Sequence, residues 1–269
     1  RFRNLFIWVG FFLALTLSVV GVQEAKAGGG TLVWGQPAAE TVLDPHVGCG
    51  AITMYTTYHV TEGLWDQDMN SGTAFTELEP RLATNWDISE DGRVHTFYLR
   101  EGVTFHDGHH WDAEVAKWNY DRFMNEDAEN YYAKAAAYMG HFTKFIESYE
   151  VVDPMTFRVT LKDAQYEWLR NGNLSCGQPR MVSPAAVAKW GDDEFASHPV
   201  GTGPFVFESM NPGEKIVLSR NDNYWGQKAK LDGIVFVSLE DKATRVNALY
   251  AGEVHGIDEV PFDLIQDLQ

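Results

Sequence analysis

The chain predicts an α/β fold, and three observations carry that prediction. Ile234 to Leu239 is a near-continuous apolar run, the pattern of a strand buried on both faces. Asp241 follows as a helix cap, Val246 and Leu249 keep helical spacing, and Gly252 closes the helix. Earlier, Asp91-Gly92 separates two strand-like runs, a hairpin pattern. Strand–helix alternation in the last third implies a parallel sheet.

Taken in order, the elements are these. Thr31 to Trp34 reads as a strand, and Gln36 to Cys49 is turn-rich, with Pro37, Asp44-Pro45 and Gly48. Ala51 to Leu64 has a helical pattern that Glu62-Gly63 closes. Asn85 to Ile88 leads into the Asp91-Gly92 turn, and Val94 to Leu99 then alternates, with His95, Phe97 and Leu99 on one face. A second turn falls at Asp107-Gly108. Asp112 is a candidate N-cap and Glu114 suits the helix dipole. Ala116, Tyr120 and Phe123 then make a core-facing stripe. More helix is expected within Asn130 to Tyr138, a half-buried strand over Phe157 to Leu161, and a short helix over Pro184 to Trp190. Phe205 to Phe207 and Ile216 to Leu218 read as strands joined by a turn at Pro212-Gly213.

The first 27 residues differ from the rest. Arg1 and Arg3 precede Leu5 to Val22, a run without charge, and Ala25-Lys26-Ala27 offers a small-residue cleavage site. That order describes a secretory signal peptide over residues 1–27. A retained membrane anchor is the alternative, because the run approaches spanning length. The chain starts at Arg1 and stops at Gln269 in mid-pattern, so both ends are expected to be limits of the recorded sequence.

The net charge is −17, from 21 Lys+Arg and 38 Asp+Glu. Only Arg1, Arg3, Lys26 and Glu24 of these lie in the first 27 residues, so the acidity belongs to the remainder. Such a field repels nucleic acid, and no basic stripe offsets it. The two cysteines, Cys49 and Cys176, admit two readings: a disulfide formed in an oxidising compartment, or two separate buried thiols.

Three segments resemble the family 5 extracellular solute-binding proteins of ABC transporters, the peptide/nickel type. The first runs from His95-Thr96-Phe97 through Arg100-Glu101-Gly102-Val103-Thr104-Phe105-His106-Asp107-Gly108 to Asp112-Ala113-Glu114-Val115. The second runs from Gly201-Thr202-Gly203-Pro204-Phe205 to Asn223-Tyr224-Trp225-Gly226, and the third from Lys242-Ala243-Thr244-Arg245 to Ala251-Gly252-Glu253-Val254. Leu43-Asp44-Pro45-His46 and Val182-Ser183-Pro184 are lesser matches. The resemblance implies a periplasmic-binding-protein-like fold of two lobes that close on a solute. Residues 28–52 and 180–269 would form an incomplete lobe one, residues 53–179 a small mixed α+β subdomain, and the second lobe would be missing.

The resemblance also implies a periplasmic, non-enzymatic importer component. It would be a monomer without a cofactor or a bound metal, delivering di- or oligopeptides to membrane permease subunits. Nickel complexes or oligosaccharides are the alternatives within the family. Glu40, Asp44 and His46 would line the cleft in lobe one, and Tyr132 would reach in from the subdomain. For Tyr131 and Tyr132, ordinary core packing stands beside that role. The family positions place Cys49 and Cys176 next to the two chain crossings between lobe one and the subdomain, where a disulfide would tie them.

Other motifs read as structural. His106, His109 and His110 are taken as a His-rich, solvent-facing turn, because adjacent extended residues point to opposite faces. Gly201-Thr202-Gly203 lacks the Lys-Ser/Thr of a phosphate loop. An exported hydrolase is the reading from a different class. No Gly-x-Ser-x-Gly or His-Glu-x-x-His supports it, and turnover of a peptide or glycoside would distinguish it from a binder.

Overall fold

The computed structural model describes residues 29–38, 42–48, 50–68, 77–172 and 178–261. The chain opens with β1 (Thr31–Gln36), α1 (Ala51–Val60), β2 (Trp65–Gln67) and β3 (Leu78–Pro80). It continues through β4 (Ala83–Ile88), β5 (Val94–Leu99), α2 (Ala113–Met124) and α3 (Ala133–Thr143). Next come β6 (Ile146–Asp153), β7 (Thr156–Leu161), α4 (Trp168–Gly172), α5 (Pro184–Trp190) and α6 (Asp192–Phe195). The last elements are β8 (Phe205–Asn211), β9 (Lys215–Arg220), β10 (Gly233–Ser238), α7 (Lys242–Tyr250) and β11 (Gly256–Ile257). No helix among the described residues is long and apolar enough to cross a membrane.

Two sheets organise the molecule. The first has the order β11-β1-β10-β9-β8, and the second the order β4-β5-β7-β6. A parallel first sheet was the expectation from sequence; the sheet is mixed. β1 runs parallel to β10 and β11, while β8, β9 and β10 pair antiparallel. The reason is the Pro212-Gly213 turn, with Gly213 at φ 76°, because so tight a connection returns the chain beside itself in the opposite sense. β10 also departs from burial on both faces. Ile234 and Phe236 are buried, but Val235 and Val237 are only half-buried.

The four-stranded sheet follows the sequence closely. Gly92 supplies the positive φ of the β4–β5 turn, and His95, Phe97 and Leu99 all point inward. The carboxylate of Asp112 accepts from the Val115 amide at 2.9 Å, which starts α2. Ala116, Tyr120 and Phe123 then face Phe157 and Phe97 in the largest core cluster. Burial of each large side chain contributes about 2 kcal/mol.

Helix α1 packs on the five-stranded sheet. Val60 joins Phe205, Ile216, Leu218, Ile234 and Phe236 in one cluster. A boundary between residues 52 and 53 would cut this helix, so the first crossing toward the second sheet lies after Val60. The return crossing is its neighbour: Glu62 bridges Met181, and Arg180 donates to the Thr61 carbonyl at 2.6 Å.

Gly201-Thr202-Gly203 passes directly under the end of α1. The Gly203 amide donates to the Val60 carbonyl at 2.9 Å, satisfying a free helix-end acceptor. A Cβ on Gly203 would meet the His59 carbonyl and the Val60 backbone at less than 3.0 Å. Backbone cannot yield as a flexible side chain can. Gly203→Ala is therefore expected to cost more than about 2 kcal/mol, read as a lowered urea midpoint at unchanged slope. Wild-type stability in this variant would contradict the close approach.

Candidate functional site

Residues 42–48 fold around Asp44. Its Oδ1 accepts from the His46 amide at 2.9 Å, and its carbonyl accepts from Val47 and Gly48. This is the turn expected of Asp-Pro. Arg122 on α2 then reaches the same turn. Its Nη2 donates to Asp44 Oδ2 at 2.8 Å, its Nη1 to His46 Nδ1 at 3.0 Å, and its Nε to Asp192 Oδ1 at 3.1 Å. Because His46 Nδ1 accepts, Nε2 carries the proton, which it donates to the Arg180 carbonyl at 2.8 Å. Burial lowers the His46 pKa to about 4, against the opposing pull of Asp44, so the ring is neutral at pH 7.

These contacts correct one expectation. Asp44 and His46 do not line an open cleft, since both are 0% exposed and their polar atoms are taken up by the protein. They shape the segment and lock it to α2. Glu40, Cys49 and Cys176 lie outside the described residues.

Tyr132 stands at the entrance to α3. Its phenol donates to Asp193 Oδ1 at 3.0 Å, and Lys134 Nζ meets the same oxygen at 2.5 Å. Its ring packs 5.2 Å from the Arg122 guanidinium. Partial burial and the Asp193 carboxylate raise its pKa, so it remains a neutral donor. With Val42, Val47, Ala137 and Ala196 it lines a cavity of about 520 Å3. The structure thus brings Tyr132 and the 42–48 segment to one wall, although Asp44 and His46 face away from it.

The far ends of the parallel strands make a second feature. In such sheets ligands bind beyond the carboxyl ends of the strands. β1 ends at Gln36, which is 0% exposed and whose amide has no hydrogen-bond partner among the described residues. Strand alternation puts Gln36 on the same face as Leu32 and Trp34. Trp34 Nε1 donates to Asp258 Oδ1 at 3.1 Å. Sequence reasoning missed Gln36; its only signal is a polar side chain closing an apolar strand just before Pro37.

Glu62 was also missed. It is 3% exposed, and it accepts from Tyr224 Oη at 2.6 Å, Trp225 Nε1 at 2.8 Å and Thr202 Oγ1 at 2.9 Å. Burial raises its pKa, opposed by these donors. This carboxylate explains why Gly201-Thr202-Gly203 and Asn223-Tyr224-Trp225-Gly226 occur together: both motifs close on it.

His106 departs from the solvent-facing reading. Its Nε2 donates to the Gly203 carbonyl at 2.9 Å, which draws the ring inward and lowers its pKa by burial. No group of three metal-ligating side chains occurs among the described residues.

Comparison with known proteins places this geometry. The glutathione-binding protein GsiB of Salmonella paratyphi A is 33% identical over 226 residues, covering 83% of this chain and 41% of the relative. The periplasmic binding protein DppA of Helicobacter pylori, solved with the peptide STSA, superposes at a TM-score of 0.81. It is 32% identical, over 90% of this chain and 49% of its own. A nickel ABC transporter protein of Bacillus halodurans gives 0.71 at 30% identity, over 89% of this chain and 45% of its own. The chain therefore spans about half the length, or less, of the proteins it matches. Residues 77–269, well over half of the chain, match the family described as bacterial extracellular solute-binding proteins, family 5. The strand order, the capped helices and the two motifs closing on Glu62 are thus those of a member of the family 5 extracellular solute-binding proteins, to which this chain belongs.

Proposed function

We propose that the full-length protein is the extracytoplasmic binding component of an ABC importer and that its solute is a short peptide. It would bind the peptide, pass it unchanged to permease subunits, and need neither a catalytic group nor a cofactor. One observation carries this reading: Tyr132 and the 42–48 segment, distant in sequence, meet at one cavity. Its rim offers a phenol, the Lys134 ammonium and the Asp193 carboxylate; its walls offer Val42, Val47, Ala137 and Ala196. Polar groups of both signs around apolar walls suit a peptide's termini and side chains. The named solutes of two relatives, glutathione and the peptide STSA, support the same class.

In this reading lobe one comprises β1, α1 and the sheet from residue 180 onward. The subdomain is the four-stranded sheet with α2 and α3, entered after Val60. Glu40 remains a candidate contact, because it follows β1 closely in sequence. Residues 1–27 act as an export signal, so the mature protein starts near Gly28 in the periplasm. Cys49 and Cys176 close a disulfide beside the crossings.

Tyr132→Phe in the full-length protein is expected to weaken peptide binding about fivefold, roughly 1 kcal/mol, by calorimetric titration. An unchanged Kd removes Tyr132 from the site. Tight binding of a nickel complex or an oligosaccharide, with none of any peptide, overturns the solute class.

A further inference from the structure

Two donors at the start of α3 converge on one atom. The Tyr132 phenol donates to Asp193 Oδ1 at 3.0 Å, and the Lys134 ammonium donates to the same oxygen at 2.5 Å. A hydroxyl and an ammonium aimed together make a fork for a carboxylate oxygen, and a carboxylate is what they hold. Hydrogen bonding to Asp193 raises the Lys134 pKa, so the ammonium stays charged. All three side chains line the cavity of about 520 Å3 described above.

Asp193 is not what positions this fork, because Arg122 anchors both sides of it. The Arg122 carbonyl accepts from the Tyr132 amide at 2.8 Å, and the guanidinium lies 5.2 Å from the Tyr132 ring. The same guanidinium holds Asp192, the neighbour of Asp193, at 2.9 Å. The end of α6 is tied down as well, since the Leu43 amide donates to the Ala196 carbonyl at 2.7 Å. Asp193 itself is held loosely. The side chains of Lys134 and Asp193 are 67% and 78% exposed. An ion pair so open to water adds little to stability, and its carboxylate can turn into solvent without stranding a charge. The fully buried Arg122–Asp44 pair has no such freedom.

We propose that Tyr132 and Lys134 bind the terminal carboxylate of the peptide, and that Asp193 is an internal competitor that gives up its place to it. The proposal rests on the reading of this cavity as the solute site. The exchange sets one carboxylate in place of another on the same two donors, so no hydrogen bond is lost. A terminal carboxylate is bonded directly to its Cα, which brings the last side chain down onto the apolar wall of Val42, Val47 and Ala137. An amidated end carries no charge with which to displace Asp193 from the ammonium. The net charge of −17 works against an anionic ligand, so a preference for one has to come from a local contact.

The test is calorimetric titration of the full-length protein with di- to tetrapeptides, each as the free acid and as the C-terminal amide. Wild type is expected to favour the acid about tenfold, as one charge-assisted contact allows. Lys134→Met keeps the aliphatic stem and removes the charge, and it should bring that ratio close to one by weakening the acid alone. Asp193→Ala should act in the opposite sense. It should tighten the acid about fivefold and leave the amide unchanged, because a like charge and a competing acceptor are both gone. Both side chains are exposed, so both variants should keep the wild-type unfolding midpoint. A wild-type ratio of one overturns the proposal, and so does an equal loss of acid and amide in Lys134→Met. Weaker binding by Asp193→Ala also overturns it, since Asp193 would then be a contact of the solute. In each of these outcomes peptide still binds, so the reading of the cavity stands. Wild type that binds no peptide in either form removes that reading, and this proposal with it.

Discussion

Arg122→Ala should destabilise the protein by about 3–5 kcal/mol, the largest effect expected of any single change described. The side chains of Arg122 and Asp44 are both 0% exposed, so the substitution strands a carboxylate where water cannot reach it. Asp192 is different. It is 34% exposed and can rehydrate, so its share of the loss is small. His46 also loses the donor to Nδ1, which leaves a second buried polar atom unpaired. The cause is the unpaired charge rather than the lost attraction, and that can be checked. Arg122→Met combined with Asp44→Leu removes both charges and should cost less than either single change. Urea unfolding of the four proteins gives the coupling. Strictly additive losses would contradict the buried pair.

Acid should weaken the fold before it reaches the carboxylates. Burial lowers the pKa of both His46 and His95 from 6.5 to about 4. His95 is fully buried, with its ring edge-on to Trp168 at 5.0 Å. Between pH 6.5 and 4 the unfolded chain therefore binds more protons than the folded one. Stability is complete above pH 6.5 and is lost as pH falls toward 4, by on the order of 3 kcal/mol for each histidine. Glu62 acts in the other sense, since its raised pKa means that folding favours its protonated form, and it offsets part of the loss at the acid end. The unfolding midpoint should thus fall between pH 7 and pH 4.5, and His95→Phe should flatten the slope. A midpoint independent of pH over that range would contradict the burial of both rings.

Local chemistry was the legible part of the sequence. Asp112 and Asp241 cap α2 and α7 as their positions suggest, accepting from Val115 and Thr244. Asp91-Gly92 makes its hairpin, and Ala116, Tyr120 and Phe123 face the core, because each depends on neighbours within a few residues. What failed depended on distant partners. Nothing near Asp44 or His46 announces that Arg122 will bury them, and an Asp-Pro-His segment in a turn-rich stretch reads as surface. Helix α1 misleads for a related reason: Thr53, Thr56 and Thr57 go inside, while Tyr55 stays out. The mixed sheet was within reach, since the Pro212-Gly213 turn already required antiparallel neighbours.

The central claim is that residues 28–269 furnish one wall of a peptide site that the remaining chain completes. Calorimetric titration of the mature full-length protein and of residues 28–269 with one panel of di- to tetrapeptides tests it directly. The expected result is saturable binding by the full-length protein. The shorter chain should bind at least about 100-fold more weakly, roughly 3 kcal/mol, because its contacts come from one wall. Equal affinity for the two proteins, or heat from no peptide in either, would contradict it.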